Sequence, residues 1–339
     1  MLRYRMSMPL FRPFHPFDII CIGDTVVDTF LTIEEATISC QLHHEQCLLC
    51  LEYAEKIPVK AVTKIPGAGN ASNAAVGSRR LGSHVAIASI IATDAASREI
   101  LAHWKQERIP TTYVTRDPKH ETNLSTILNF QGERTILVYH HAHAYHLPRL
   151  GSTDWIYYTS LGPKHESLEK QLLQYLERHP KTRLAFNPGT HQLRRGLKSL
   201  RPAIARTNAF IVNREEAERL LNDGRRPLPN LLMSFIQLDA KIVVITDGEH
   251  GSYATDGTRC WRCPIFPGPV IERTGAGDSY ATAFVHALHS GTSIPEAMRH
   301  GTANAWSVIQ KVGPQAGLLT APEMKKILAR FKRLQPKKL

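Results

Sequence analysis

The residues best suited to chemistry form one short segment, Arg273-Thr274-Gly275-Ala276-Gly277-Asp278-Ser279, which leads directly into an apolar stretch with helical spacing. If a helix begins near Ala276, its first backbone N–H groups point into the loop, and its dipole adds partial positive charge. Such a helix end binds anions, and small residues let a phosphate approach the backbone closely. The pattern therefore favours Asp278 as a general base that activates a hydroxyl for attack on phosphorus. An ordinary glycine-rich turn capped by an aspartate is the alternative.

Three further segments precede this loop in the 339-residue chain: Gly67-Ala68-Gly69-Asn70-Ala71-Ser72-Asn73, Asn213-Arg214-Glu215-Glu216 and Thr246-Asp247-Gly248-Glu249-His250-Gly251. The four segments, in this order and in a chain of this length, resemble the PfkB family of carbohydrate kinases, which has the ribokinase-like fold. The resemblance covers roughly residues 18–320, and the loop that ends in Asp278 is its most specific part.

The resemblance implies an ATP-dependent kinase that transfers the γ-phosphoryl group to a hydroxyl of a sugar or sugar-like acceptor, with Mg²⁺ as cofactor and Asp278 as the base. Asn213 and Glu216 match a family pattern that helps to place Mg²⁺ near the phosphates. Thr246 and Gly248 match a loop that contacts the ATP phosphates. The alternative for Asn213 and Glu216 is a helix capping box, which uses the same spacing.

The backbone N–H groups of three small residues would stabilise the phosphoryl oxygens: Gly275, Ala276 and Gly277. On the acceptor side, the resemblance implies binding of sugar hydroxyls by four residues: Asp28, Gly69, Asn70 and Asn73. Helix capping is the alternative for Asn70 and Asn73. The family often has Asp-Thr where this chain has Glu272-Arg273, near a monovalent-cation site, so potassium dependence stays open.

Other functions remain as alternatives. A nucleoside kinase of the same family would share these motifs, and a lid that presents aromatic side chains to a base would favour it. Tyr53 and Trp104 are candidates by residue type alone. A non-catalytic sugar- or nucleotide-binding regulator is a weaker alternative, because it has no need of Asp278. A Walker A loop is excluded because no Gly-Lys pair occurs in the chain.

The hydrophobic pattern predicts an α/β fold, with a central, mainly parallel sheet sandwiched by helices and a small β lid. The alternating strands are predicted at Asp18–Gly23, His84–Ala92, Trp155–Leu161, Arg183–Asn187, Ala209–Asn213 and Lys241–Thr246. Ligands of such sheets bind beyond the carboxyl ends of the strands, where the motifs fall. Two segments interrupt the alternation, near residues 25–65 and 122–140. The resemblance implies that they form the lid and a possible homodimer interface.

The formal charge of +12 is concentrated at the two ends of the chain. Residues 1–17 carry three Arg, and residues 324–339 carry seven Lys or Arg, without any acidic residue in either segment. We therefore predict a flexible basic N-terminal arm (1–17), a kinase domain (18–323) and a basic C-terminal tail (324–339). Nucleic-acid binding is not favoured, because the folded body is nearly neutral. Without an apolar span or a secretory signal, the chain is expected to be cytoplasmic.

Cysteine residues give one further hypothesis. Cys47-Leu48-Leu49-Cys50 is a CxxC pair, and Cys40, His43 and His44 lie just before it. A structural zinc site needs four ligands, which Cys40, His43 or His44, Cys47 and Cys50 could supply. The alternatives are a redox-sensitive pair or no special role, since the family does not need zinc.

Overall fold

The computed structural model describes residues 17–40, 47–131, 133–224 and 226–339. The predicted N-terminal arm lies, apart from Phe17, outside the described residues. In chain order the strands are β1 Phe17–Ile22, β2 Val26–Ile33, β3 Thr37–Cys40, β4 Cys47–Cys50, β5 Val59–Ala68, β6 Val85–Ala88, β7 Ile90–Ile91, β8 Thr115–Arg116, β9 Leu124–Phe130, β10 Glu133–Tyr139, β11 Thr153–Tyr158, β12 Arg183–Phe186, β13 Ala209–Asn213, β14 Val243–Thr246, β15 Ser252–Thr255, β16 Cys260–Cys263 and β17 Lys337–Lys338. The α-helices are α1 Asn70–Arg80, α2 Ala95–Gln106, α3 Glu166–Arg178, α4 Thr190–Arg194, α5 Gly196–Ala205, α6 Arg214–Leu221, α7 Leu228–Ile236, α8 Ala276–His289, α9 Ile294–Val308 and α10 Ala321–Arg330.

A nine-stranded sheet forms the centre of the molecule, in the order β17-β16-β15-β14-β13-β12-β11-β1-β6. The pairings from β6 to β14 are parallel, and those from β14 to β17 are antiparallel. Alternate residues of one strand face opposite layers. Ile20 and Ile22 pack among α3, α5, α6 and α7, whereas Ile19 and Cys21 pack among α1, α2, α8 and α9. The predicted α/β sandwich is confirmed.

A second sheet of four strands, in the order β10-β9-β2-β5, comes from the two segments that interrupt the alternation. Strand β9 pairs in parallel with β2 and antiparallel with β10, and β2 pairs antiparallel with β5. We refer to this sheet as the lid sheet. Strand β2 directly follows β1, and β5 leads directly into α1, so the lid sheet is joined to the central sheet where the site motifs lie.

The predicted basic tail over residues 324–339 is wrong, because the structure packs this segment onto the domain. Met324 is buried beside Phe266, and Phe331 packs against both Phe266 and Trp306. Strand β17 extends the central sheet by pairing with β16. Lys325, Lys326 and Arg330 are exposed on α10, whose apolar residues face the core. Among the described residues, no helix is long and apolar enough to cross a membrane.

Candidate active site

The loop before α8 adopts the geometry that the sequence predicts. Gly275 is the N-cap residue of α8 and has a φ of +78°, which non-glycine residues rarely adopt. A Cβ atom at Gly275 would lie 2.4 Å from Cβ of Pro314, whereas a Cβ atom at Gly277 would meet no atom within 4 Å. Gly277 therefore leaves open space at the start of the helix. The Ala276 N–H donates a long hydrogen bond of 3.3 Å to the Arg273 carbonyl. A ligand oxygen at the helix start would share this donor with the Arg273 carbonyl.

Asp278 lies in the first turn of α8, and two carboxamides hold its carboxylate. Asn70 Nδ2 donates to Oδ1 and Asn73 Nδ2 donates to Oδ2, each at 2.8 Å. The two asparagines come from α1, more than 200 positions earlier in the chain. Burial raises the pKa of Asp278 to about 6, while the hydrogen bonds from Asn73 and Asn70 oppose that rise. The carboxyl group is therefore mostly ionised at neutral pH and can accept a proton there.

The capping interpretation of Asn70 and Asn73 is wrong. The N-cap residue of α1 is Gly69, and no side chain caps this helix. Both carboxamides point across to α8 instead. Asn73 is held in turn by Gln315, whose Nε2 donates to Asn73 Oδ1 at 2.9 Å and to the Gly67 carbonyl at 2.8 Å.

Asp28 lies on β2 of the lid sheet, paired with Ser125 of β9. It is buried, and burial raises its pKa to about 7, with a hydrogen bond from Ser125 acting in the opposite direction and the charge of Asp278 adding to the rise. Gly69 has a φ of +90°, and a Cβ atom there would lie 2.9 Å from the Asp24 carbonyl. The glycine therefore allows the start of α1 to lie against the β1–β2 connection.

Asn213 and Glu216 form the capping box that their spacing predicts. The Glu216 N–H donates to Asn213 Oδ1 at 2.8 Å, and the Asn213 N–H donates to Glu216 Oε2 at 2.9 Å. Asn213 ends β13 and is paired with Thr246 at the end of β14. Capping is therefore part of their role, but both residues also line the cleft described next.

A cleft of about 200 Å³ lies at the carboxyl ends of the parallel strands and at the start of α8. The lining residues are Asn70, Ser160, Asn187, Pro188, Gly189, Thr190, Ile211, Val212, Asn213, Glu216, Thr246, Gly277 and Asp278. Gly248 does not belong to this lining and sits exposed in the turn after β14, with a φ of +50°.

The carboxyl groups around the cleft fit a divalent cation. Burial raises the pKa of Glu216 to about 7, and the charge of Asp278 adds to the rise. Asp278 also adds to the raised pKa of Asp28. Neighbouring carboxylates disfavour each other's ionisation, and a nearby cation stabilises their ionised forms. Mg²⁺ prefers oxygen ligands such as these.

A family model described as "pfkB family carbohydrate kinase" matches residues 27–321. The chain belongs to the pfkB family. A 5-dehydro-2-deoxygluconokinase from Bacillus subtilis (strain 168) is 25% identical over 331 residues, which cover 92% of this chain and 96% of the relative. This pfkB-family chain is therefore a phosphotransferase that acts on hydroxyl groups, as the motifs predict.

Solved structures confirm the ribokinase-like fold of this pfkB-family chain. Arabidopsis thaliana ribokinase, complexed with ribose and ATP, aligns with a TM-score of 0.73 at 17% identity, covering 92% of this chain and 98% of the ribokinase. A Burkholderia thailandensis nucleoside kinase in complex with inosine aligns with a TM-score of 0.75 at 18% identity, covering 93% and 99%. Sugar kinases and nucleoside kinases thus share this fold.

Sequence reasoning missed several side chains beside the predicted ones. Asp24 is buried, and it accepts hydrogen bonds from the Tyr145 hydroxyl at 2.8 Å and from the Gly162 N–H at 2.6 Å. His140 lies 3.4 Å from the same carboxylate. The charge of Arg134, at the start of β10, lowers the pKa of Asp278 against the larger effect of burial. No sequence motif singles out Asp24, which lies in the short connection between β1 and β2.

The predicted zinc ligands do not form a four-ligand site in this structure. Cys40 and Cys47 form a disulfide between β3 and β4, so their sulfurs are not free thiolates. Cys50 is a free cysteine at the end of β4. His43 and His44 lie outside the described residues. Cys40 and Cys47 lie directly opposite each other on paired strands, a placement that suits a disulfide as well as a shared metal ion.

Proposed function

We propose that this pfkB-family kinase transfers the γ-phosphoryl group of ATP to a hydroxyl of a sugar-like acceptor, with Asp278 as the general base. The observation that carries the proposal is the clamped carboxylate of Asp278, which faces an open cleft from the first turn of α8. ATP supplies the phosphoryl group, and Mg²⁺ offsets its negative charge. The remaining roles belong to the side chains and backbone of the chain itself.

Asp278 would accept the proton of the acceptor hydroxyl as that oxygen attacks phosphorus. Its pKa of about 6 suits this role, because the group is ionised near neutral pH yet still basic enough to take a proton. Asn70 and Asn73 fix the orientation of the carboxylate. The backbone at Gly275, Ala276 and Gly277 would receive the transferring phosphoryl oxygens at the positive end of α8.

The nucleotide side of the cleft would be formed by the ends of β13 and β14. Asn213 and Glu216 would hold Mg²⁺ and its waters, and Thr246 would contact the phosphates. Gly248 would lie farther out along the same loop. The donor set supports this assignment, because Asn213 and Glu216 both line the cleft and supply carboxamide and carboxylate oxygens.

The acceptor would bind between the lid sheet and α1, against Asp28, Gly69, Asn70 and Asn73. A sugar fits this set better than a nucleoside, because the aromatic candidates for stacking on a base are badly placed. Trp104 is fully buried, and its Nε1 donates to Ser72 Oγ at 2.7 Å. Tyr53 is 96% exposed.

An acceptor screen tests the proposal. ADP release from ATP and Mg²⁺ would be measured with hexoses, pentoses, sugar acids, sugar phosphates and nucleosides, using the wild type, Asp278→Ala and the exposed control Asp239→Asn. We expect ADP release that depends on a sugar and is lost in Asp278→Ala alone. Release only with nucleosides would contradict the sugar assignment, and full activity of Asp278→Ala would contradict the proposed base.

We also propose that the lid sheet forms a homodimer interface. Strand β10 is the edge of that sheet, and its apolar side chains are 42–58% exposed: Ile136, Leu137, Val138 and Tyr139. Exposed apolar edge strands favour pairing with a second copy. We expect light scattering to give twice the chain mass for the wild type and the chain mass for Leu137→Arg. A monomeric wild type would contradict the proposal.

A further inference from the structure

A compact group of metal-binding side chains lies outside the proposed kinase site. It consists of Asp117, His120 and His143, whose ligand atoms all lie within 4.8 Å of one another. The Nδ1 atoms of both histidines lie 2.8 Å from the same oxygen, Oδ2 of Asp117. The other carboxylate oxygen accepts the Lys119 N–H at 2.9 Å, which fixes the direction of the carboxylate.

A third histidine packs against this group. The ring of His141 lies 5.4 Å from that of His120 and 6.0 Å from that of His143, measured between ring centres. Its Nε2 atom is buried and has no hydrogen-bond partner. A buried ring nitrogen without a partner is costly, and a bound cation would remove that cost.

The donor set selects a class of metal ion. Imidazole nitrogens with one carboxylate favour zinc and similar transition metals, whereas Mg²⁺ and Ca²⁺ favour oxygen ligands alone. Ligands at about 2.0–2.1 Å from a tetrahedral Zn²⁺ are about 3.3 Å apart. Each histidine Nδ1 would therefore need to move about half an ångström farther from Asp117 Oδ2 to admit the ion.

The group joins the central domain to the lid sheet. Asp117 directly follows β8, and its N–H donates to the carbonyl of Ile91 in β7 at 2.9 Å. His120 lies on the segment that leads into β9. His143 is almost fully buried, four residues after the end of β10. One ion bound here would therefore hold two segments together beside β7 and β8: the segment that leads into β9 and the segment that follows β10.

We propose that Asp117, His120 and His143 bind a Zn²⁺-class ion, with His141 as a further ligand, and that the ion fixes the base of the lid sheet. The site is separate from the zinc set predicted around Cys40. It also does not depend on the proposed kinase chemistry, because its ligands lie outside the cleft lining. Each coordinating nitrogen must be free of a proton, which a neutral imidazole achieves by carrying its proton on the other ring nitrogen.

The test is titration of tag-free, metal-stripped full-length protein with Zn²⁺ by calorimetry, in the absence of ATP, together with melting temperatures with and without Zn²⁺. Two variants remove ligands with little effect on packing: His120→Ala, because the ring is 37% exposed, and Asp117→Asn, because it keeps the side-chain shape. His146→Ala is the matched control, because His146 is exposed and its Nδ1 contacts the Ala144 carbonyl.

We expect the wild type and His146→Ala to bind one equivalent at this site and to melt at a higher temperature with Zn²⁺. In His120→Ala and Asp117→Asn, the Zn²⁺ affinity of that site should fall at least about tenfold. Loss of a residue that only hydrogen-bonds to a metal ligand already lowers affinity by about that factor, and these variants alter a ligand itself. Equal Zn²⁺ binding by the wild type and both ligand variants would overturn the proposal, as would a wild type that binds none.

Discussion

The carboxamide clamp on Asp278 leads to a prediction about the pH dependence of catalysis. In the variant Asn73→Ala, one of the two 2.8 Å hydrogen bonds to the carboxylate is lost. Both bonds favour the ionised form and oppose the rise that burial causes, so their loss raises the pKa of Asp278 further above its wild-type value of about 6. The base is active when ionised. The acid limb of the profile should therefore move to higher pH.

The size of the shift follows from the energy of the bond. A hydrogen bond to a charged group contributes about 1.5–3 kcal/mol, which corresponds to about one to two pKa units. Asp278 is partly exposed to the cleft, so water replaces part of the lost bond and the lower end of that range applies. We expect a shift of about one unit, which lowers activity at pH 6 about fivefold more than activity on the plateau.

The assay is kcat/KM across pH 5 to 9, since this ratio reports the pKa values of the free enzyme. The acceptor would be the best one found in the screen. Asn230→Ala, an exposed asparagine on α7, is the control and should keep the wild-type profile. An acid limb in Asn73→Ala that stays at the wild-type position, or that moves to lower pH, would refute the argument, whatever the height of the plateau.

Three further variants test the loop before α8 and the cleft. Gly275→Ala should lower the free energy of unfolding by at least about 2 kcal/mol, because its φ of +78° is strained for alanine and its Cβ would meet Pro314. Gly277→Ala should have a free energy of unfolding in urea at least equal to that of the wild type, because alanine favours a helix more than glycine does. Its kcat should nevertheless fall about tenfold or more, because the added methyl group fills the open space at the start of the helix. Equal losses of stability in Gly275→Ala and Gly277→Ala would contradict this prediction. Glu216→Gln keeps an oxygen for the capping bond to the Asn213 N–H but loses the charge, so a titration should show a higher Mg²⁺ requirement, and an unchanged requirement would speak against a metal role.

The sequence was informative where local patterns determine structure. The alternation of apolar strands and helices predicted the central sheet, and the glycine spacing predicted the loop before α8. Asp278, Asn70 and Asn73 were each identified separately. Their mutual hydrogen bonds could not be, because α1 and α8 lie over 200 positions apart and their contact depends on the packing of both helices against the sheet.

The errors also have physical causes. The basic composition of residues 324–339 concealed a helix whose apolar positions pack inward, although Met324, Ile327, Leu328 and Phe331 carry the required spacing. The support of Asn73 by Gln315 was missed, because Gln315 lies in an irregular segment without a pattern of its own. Asn213 and Glu216 both form a capping box and line the cleft. The same spacing fits helix capping and a role in the cleft, so the sequence could not decide between the two interpretations.

The central claim is that Asp278 takes the proton from the acceptor. The most direct measurement is single-turnover phosphoryl transfer by Asp278→Ala, with ATP affinity measured in parallel and Asp239→Asn as the control. We predict that the rate of transfer falls about 10²–10⁴-fold while ATP affinity stays within a few-fold of the wild type. A rate within a few-fold of the wild type, in folded protein that binds ATP, would contradict the account.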